Sequence, residues 1–354
     1  MIQKRQLVFD AERMKYKHTG LYHYCLQLGR ALQNIVDQKT EELKFYVRPC
    51  HEKSFGEKAQ YIEQHGLHKF FMPTTNATVW HTTYQATNYF PFRKNVKVVF
   101  TIHDLNVVHE NKMSPKRLQK ELNKIQKRID YSDHIVAISH FTLGDVNKHL
   151  KLNNKPATVI HNGCNIQLLR NIDEPQNPPT AKFLFTLGTI NAKKNFHVLP
   201  CLLVDNSKQL FIAGITDDEN YKQQIIAEAS KIGVAERVVF TGPIDENDKQ
   251  WYMKNCEAFV FPSLAEGFGL PVIEAMYFGK PVILSNATAL PEIGGDDAFY
   301  FNNFEPEDMR AVLKNALQIF QDDATFADRV TTRAKMFTWE DAAKKYLEVY
   351  RSLY

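Results

Sequence analysis

The 354 residues are enough for two domains of ordinary size, and an apolar share of 44% is that of a globular protein. No run approaches the ~18 consecutive apolar residues of a membrane-spanning helix, and the opening MIQKRQLVFD lacks the apolar centre of a secretory signal. Five scattered cysteines (Cys25, Cys50, Cys164, Cys201, Cys256) form no C-x-x-C pair, which argues for a reducing compartment and against a zinc site or a disulfide frame. The net charge of +4 is uneven, about +10 over residues 1–176 and about −6 over 177–354, so the first half is expected to meet something anionic.

In chain order, Gln6 to Asp10 reads as a strand, followed by a loop to Gly20 and an amphipathic helix from about Leu21 to Ile35 with Leu21, Cys25, Leu28 and Leu32 on one face. Leu43 to Val47 and Lys69 to Met72 read as further strands. Val79 to His81 leads into HTTYQATNYFPF, an aromatic loop that either stacks on sugars or is pinned by its own rings. Val96 to Ile102 is a buried strand ending at His103-Asp104, where ligands bind in open α/β sheets; a lone histidine there is also compatible with a structural role. Ser114-Pro115 open a basic helix with an apolar stripe (Leu118, Leu122, Ile125, Ile129) and a lysine stripe (Lys116, Lys120, Lys124, Lys127). His134 to Ser139 and Thr158 to His161 continue the sheet, and HNGCN closes it.

Pro175, Pro178 and Pro179 mark a linker. Phe183 to Leu187 begins a second strand series, followed by GTINAKKNF with Lys193 and Lys194 ahead of a helix starting near Asn195. Strands are expected at Leu210 to Ala213 and Val238 to Thr241, with a helix from Asn220 to Ile232 between them. The most informative stretch is Ala258 to Asn286, a βαβ unit whose loop Glu266-Gly267-Phe268-Gly269 opens a helix with Pro271 in its first turn. Such a loop offers backbone N–H groups and the positive end of a helix dipole, a setting for phosphate. Glu266 and Glu274, seven residues apart, add acceptors for hydroxyl groups; they equally fit a solvated loop glutamate and one favoured by the helix dipole. Helices from Pro306 to Phe320 and Trp339 to Tyr354 end the chain.

EGFGLPVIE resembles the E-x7-E signature of the retaining glycosyltransferases of family 4, which have the GT-B fold. The resemblance implies that Glu266 meets the donor sugar, that the amides of Phe268, Gly269 and Leu270 meet sugar and phosphate, and that Glu274 holds the ribose hydroxyls. Gly20 matches the family's glycine at the first strand-to-helix turn, with Thr19 where a second glycine is usual. His103 matches the histidine that contacts the donor sugar, and Asp104 the loop residue beside it; Ser139 stands where the family has its serine. HNGCN resembles the P-N-G-x-D loop, with His161 and Asn165 departing from it. Lys194-Asn195 matches the family's Lys-Asn pair on the diphosphate; Thr189 replaces the usual arginine, whose part falls to Lys193. Pro243 and Ile244 stand near the base, TALPEIGG resembles the L-P-E loop, and Trp339-Glu340 the W-E pair opening the last helix.

The expected architecture is α/β, GT-B, with two Rossmann-like doubly wound parallel-sheet domains facing a cleft: 1–170 binding the acceptor, 171–182 a linker, 183–337 binding the nucleotide sugar, and 338–354 a helix crossing back to the first domain. The expected function is retaining transfer of a hexose from a nucleoside-diphosphate sugar to a glycan or lipid-linked acceptor. His103 and Glu266 are catalytic; Gly20, Lys193, Lys194, Phe268, Gly269, Leu270 and Glu274 bind the donor. The T-x-x-x-K-K-N loop resembles mannosyltransferases of surface polysaccharide assembly, which implies mannose from GDP-mannose. No D-x-D pair occurs, so no metal or other cofactor is expected, and no nucleic-acid partner. The cysteines and the missing signal imply a cytoplasmic protein, and the basic half implies contact with anionic lipid at the inner face of the membrane or with acceptor phosphate. The alternatives are a GT-B epimerase or phosphorylase, or a non-catalytic binder of nucleotide sugar or polysaccharide.

Overall fold

Strands that read as unbroken apolar runs need cover on both faces, which a parallel sheet with helices on either side provides. The computed structural model describes residues 4–354 apart from 17, 18, 52, 75, 94, 110–112, 165 and 167. Contacts divide the chain into two units, Met1–Gly163 with Phe337–Tyr354, and Cys164–Met336.

The first unit runs β1 (Arg5–Asp10), α1 (Gly20–Ile35), β2 (Glu41–Val47), β3 (Gln60–Glu63), β4 (Val79–Thr82), β5 (Lys97–Ile102), α2 (Asn106–His109), α3 (Pro115–Tyr131), β6 (His134–Ala137), α4 (His140–His149) and β7 (Ala157–Val159). All its strands pair in parallel in the order β3-β2-β1-β4-β5-β6-β7, so the winding reverses between β1 and β4. Side chains alternate across the strands. Leu7, Phe9 and Val79 face the α1 residues Leu28 and Leu32, while Val8, Trp80 and Phe100 face Leu122, Ile125 and Ile129 of α3.

The second unit runs β8 (Phe183–Leu187), β9 (Gln209–Ala213), α5 (Glu219–Lys231), β10 (Val238–Gly242), α6 (Glu246–Asn255), β11 (Ala258–Phe261), α7 (Leu270–Tyr277), β12 (Val282–Ser285), α8 (Leu290–Gly294), β13 (Phe299–Phe301), α9 (Pro306–Asp322) and α10 (Phe326–Ala334). Its parallel sheet has the order β10-β9-β8-β11-β12-β13, with the reversal between β8 and β11. The last helix, α11 (Trp339–Arg351), returns to the first unit. There Tyr346 and Tyr350 are buried and join a chain of hydroxyls: Tyr24 Oη donates to Tyr346 Oη (2.8 Å), which meets Thr101 Oγ1 (3.0 Å), and His81 bridges Thr101 Oγ1 (2.7 Å) and Tyr350 Oη (2.6 Å). Gly163 makes this docking possible, since a Cβ there would lie 2.1 Å from the Trp339 nitrogen.

Two sequence expectations differ from the structure. Lys69 to Met72 is not a strand: Gly66–Lys69 is a 3-10 turn, and the third strand is the earlier, polar Gln60–Glu63 at the sheet edge. The helix expected from Asn195 is a 3-10 segment, Phe196–Leu203, because Pro200 inside it has no N–H to continue an α-helix. Within the stretch 171–182, Asp173 N donates to Asn247 Oδ1 (3.0 Å), which ties it to α6. Asn165 lies outside the described residues.

Candidate active site

In an open parallel sheet the winding reversal leaves a crevice beyond the carboxyl ends of the two central strands. In the second unit those strands are β8 and β11, and the loops that leave them carry Lys193-Lys194 and Ser263–Gly269. A backbone bond laces the loops together, Leu264 N donating to Lys193 O at 2.9 Å, and Ser263 Oγ lies 3.4 Å from the same oxygen. Lys194 turns back over Gly188, where a Cβ would press on its Cε at 3.1 Å. Its ammonium reaches Glu266 Oε1 at 2.5 Å and lies 4.8 Å from the centre of the Phe261 ring. Ser263 Oγ donates to the same carboxylate oxygen at 2.6 Å.

The backbone of Glu266 is held from the other side. Its N–H donates to Thr288 Oγ1 (2.9 Å), and its carbonyl accepts from Ala289 N (3.4 Å). Thr288 sits at φ 54°, a conformation that is costly for a β-branched residue and that tends to persist at functional sites. Burial raises the carboxyl pKa of Glu266, but the charge of Lys194, then that of Lys193 and the two hydrogen bonds, outweigh it and hold the pKa below the usual range. Glu266 is therefore an anion at neutral pH.

Gly269, at φ 110°, is the N-cap of α7 and brings no side chain to the helix end. The first amides of α7, from Leu270 on, thus begin a helix without a side-chain cap, an arrangement suited to an anion. Phe268 is buried beneath the loop. One turn into α7, Glu274 Oε1 accepts from Lys249 Nζ (2.7 Å), which also meets Glu246 Oε2 (2.9 Å). Burial opposes the charge on Lys249, but the two carboxylates overcome it and push its pKa up.

The two remaining predicted residues lie in the first unit, at the carboxyl edge of its own sheet. Gly20 is the first residue of α1, behind the cap Thr19, whose Oγ1 accepts from Tyr22 N (3.3 Å). Its φ is not positive, and a Cβ there would meet no described atom within 4 Å. Packing therefore does not require glycine at this position. His103 is buried edge-on against Tyr24, one turn along α1, with ring centres 4.5 Å apart. Its Nε2 donates to Thr83 O (2.8 Å), which leaves Nδ1 as an acceptor. Burial lowers its pKa to about 4, against the hydrogen bond to Thr83, and Arg13 adds to the lowering; the ring is neutral at pH 7. Asp104 shapes the loop, its Oδ1 accepting from Asn106 N (3.1 Å). The aromatic loop before β5 is largely pinned by its own rings, with Tyr89 and Phe90 in the core.

Residues 170–335 match the family model of glycosyl transferases group 1, and residues 62–168 that of glycosyltransferase family 4. Both matches mark the chain as a glycosyltransferase. The transferase is 24% identical to O-antigen chain mannosyltransferase B of Escherichia coli, over 98% of this chain and all of that one. In fold it is similar to sucrose-phosphate synthase from Thermosynechococcus elongatus (TM-score 0.78, 18% identity, 99% of each chain). It is also similar to HepE of Anabaena, solved in complex with UDP and glucose (TM-score 0.74, 15% identity, 98% of this chain and 100% of that one). The fold shared with these structures is GT-B, two Rossmann-like parallel-sheet domains.

Within the second unit of the transferase, the predicted residues Lys193, Lys194, Glu266, Phe268, Gly269 and Leu270 occupy one pair of loops, with Glu274 one turn further on. Three contributors escaped sequence reasoning. Ser263 positions Glu266 from three residues back in the same loop, and Thr288 does so through a tertiary contact. Lys249 engages Glu274 from a separate helix whose polar sequence, ENDKQ, gives no local sign of it.

Proposed function

We propose that this glycosyltransferase moves mannose, from GDP-mannose, to a hydroxyl of a glycan or lipid-linked acceptor in surface polysaccharide assembly, retaining the anomeric configuration and needing no metal. The observation that carries this reading is the cluster of Lys194, Ser263 and Glu266 beside the uncapped start of α7. The mannosyltransferase relative spanning nearly the whole chain supports the choice of sugar.

Leaving-group departure puts negative charge on the β-phosphate. Lys194, with Lys193 and the first amides of α7, would stabilise that charge, the task a metal performs in other transferases. Glu266 remains ionised and would orient the sugar by accepting from its hydroxyls. In the step proposed, the bond from C1 to the phosphate oxygen breaks and the bond from C1 to the acceptor oxygen forms on the same face. The acceptor's proton passes to the departing phosphate oxygen, so no side chain becomes glycosylated. Glu274 would take the ribose hydroxyls. His103, neutral and with Nε2 already committed, would accept from a sugar hydroxyl through Nδ1. The chain would work in the cytoplasm at the inner face of the membrane, its basic half toward anionic lipid; no helix among the described residues is long and apolar enough to cross a bilayer.

A panel of nucleoside-diphosphate sugars, assayed for diphosphate release with and without EDTA, tests the reading. GDP-mannose should give the fastest release, unchanged by EDTA. A different preferred sugar refutes the donor assignment, and loss of turnover in EDTA with recovery on manganese refutes metal independence.

A further inference from the structure

Burying apolar surface drives folding, so a soluble face that displays several large apolar side chains together needs a reason. The turn Gly66–Lys69 displays three: Leu67, Phe70 and Phe71 are 73%, 79% and 69% exposed. The turn itself is held in place. Phe70 N and Phe71 N both donate to Leu67 O (3.0 Å each), and His68 Nδ1 is within hydrogen-bonding distance of Tyr46 Oη (3.1 Å) and of His65 N (3.2 Å). Tyr46 is a fully buried residue of β2, so the turn is anchored to the sheet and its apolar side chains point away from it.

The turn that carries these three meets, through His68 and Lys69, the side of the core that α3 covers. The sheet face beneath them holds Tyr46, Trp80 and Phe100, and the same cluster takes in Met72, Tyr89 and Phe90 and the buried side of α3. Lys69 Nζ stands 6.0 Å from the Tyr89 ring; Phe90 and Phe92 are in contact, and Lys127 Nζ of α3 lies 4.7 Å from the Phe92 ring. Phe92 and Tyr131, half-exposed, pack edge-on at 5.3 Å. Contacts thus run from the aromatic turn to α3, where Lys116, Arg117, Lys120, Lys124 and Lys127 are all exposed. The acidic groups of α3 offset only part of this charge: Glu121 pairs with Lys124 (2.7 Å), and Asp130 accepts from Gln126 and Asn153, which leaves Lys116, Arg117, Lys120 and Lys127.

From this juxtaposition we infer that Leu67, Phe70 and Phe71 form a wedge that enters the acyl boundary of an anionic bilayer while the α3 lysines rest on its headgroups. The inference deepens the reading of the basic half as a membrane-facing surface, and is independent of the transfer chemistry. Apolar side chains rimmed by basic ones fit an interfacial membrane surface. Two copies pairing through this face about a two-fold axis would set lysine stripe against lysine stripe, which disfavours that occupant.

Co-sedimentation of the full chain with phosphatidylcholine vesicles, with and without phosphatidylglycerol, provides the test. The parent protein should pellet with anionic vesicles at low salt. Replacing Leu67, Phe70 and Phe71 together by Ser should lower partitioning at least tenfold, since even partial burial of such side chains is worth roughly that much. These positions are exposed, so folding and turnover of a soluble acceptor should be unaffected. Charge reversal at Lys116, Lys120 and Lys127 should also weaken binding, by at least about fivefold per residue, and only at low salt. A Phe70→Trp variant should be quenched by brominated acyl chains. If charge reversal abolishes binding while the triple Ser variant binds like the parent, the wedge is wrong and the basic surface stands. If the parent fails to pellet at low salt, both are wrong. Self-association of the parent that the triple Ser variant loses, without any vesicle binding, would assign the patch to a second copy and overturn the wedge.

Discussion

Replacing Lys194 by Met should destabilise the second unit through Glu266, and the size of the effect should depend on pH. The two side chains are only 13% and 14% exposed, and their charged atoms meet at 2.5 Å. Removing one member of a buried pair leaves the other charge uncompensated, at a cost of about 3–5 kcal/mol. Ser263 Oγ would still donate to the carboxylate, and Met can keep contact with the Phe261 ring, so about 3 kcal/mol is expected, or a melting temperature lower by about 6–12 °C. Lys194→Met with Glu266→Gln removes both charges and should recover most of that loss, giving a coupling of about 2 kcal/mol. The sign with pH follows from the depressed Glu266 pKa. The pair contributes fully above the unfolded value of 4.5 and is lost as pH falls through the lower folded value, so the gap between parent and Lys194→Met should close in acid. Calorimetric unfolding of the parent, both single variants and the double variant at pH 7 and below pH 4.5 measures this. Additive single effects, or a gap as large in acid as at pH 7, would refute the reasoning.

Two further outcomes concern donor and helix contacts. Glu274→Gln should raise the donor KM about tenfold with kcat nearly unchanged, because ribose lies far from the reacting carbon and is bound alike in ground and transition states. Lys249→Met should do the same, and the double variant should be no worse than either single one if Lys249 acts by placing Glu274; steady-state kinetics on the three variants decide. Gly20→Ala should leave the melting temperature unchanged or slightly raised, since Ala favours the helix and meets open space, yet turnover should fall at least tenfold if a ligand approaches that backbone. Full activity in Gly20→Ala would show that nothing binds there.

Much of the architecture was readable from the chain because parallel strands covered on both sides carry their own signature. Phe183–Leu187 and Ala258–Phe261 have the bounds that their unbroken apolar runs suggest. The edge strand Gln60–Glu63 was not readable, since its side chains are exposed or half-buried and it has no need of such a run. The apolar Lys69–Met72 misled for the opposite reason: its two phenylalanines face solvent, against the usual meaning of the pattern. At the site, Glu266 was singled out by its place in a glycine-rich loop after a strand and Lys194 by the resemblance alone, while their meeting at 2.5 Å was not in the sequence. Thr288 and Lys249 were not, because each acts on a partner that only the folded sheet brings near.

The return of α11 also sets the order in which the molecule can be completed. Residues are synthesised from the amino end, so the whole second unit emerges from the ribosome before Tyr346 and Tyr350 exist. Until then Tyr24 Oη and His81 Nδ1 lack the partners that those hydroxyls provide, while Thr101 keeps His81, and the slot stands open to water. The unit that is made first is therefore finished last. A nascent chain carries an open apolar slot along α1 while residues 164–336 are made, a long interval in which chaperones have something to hold.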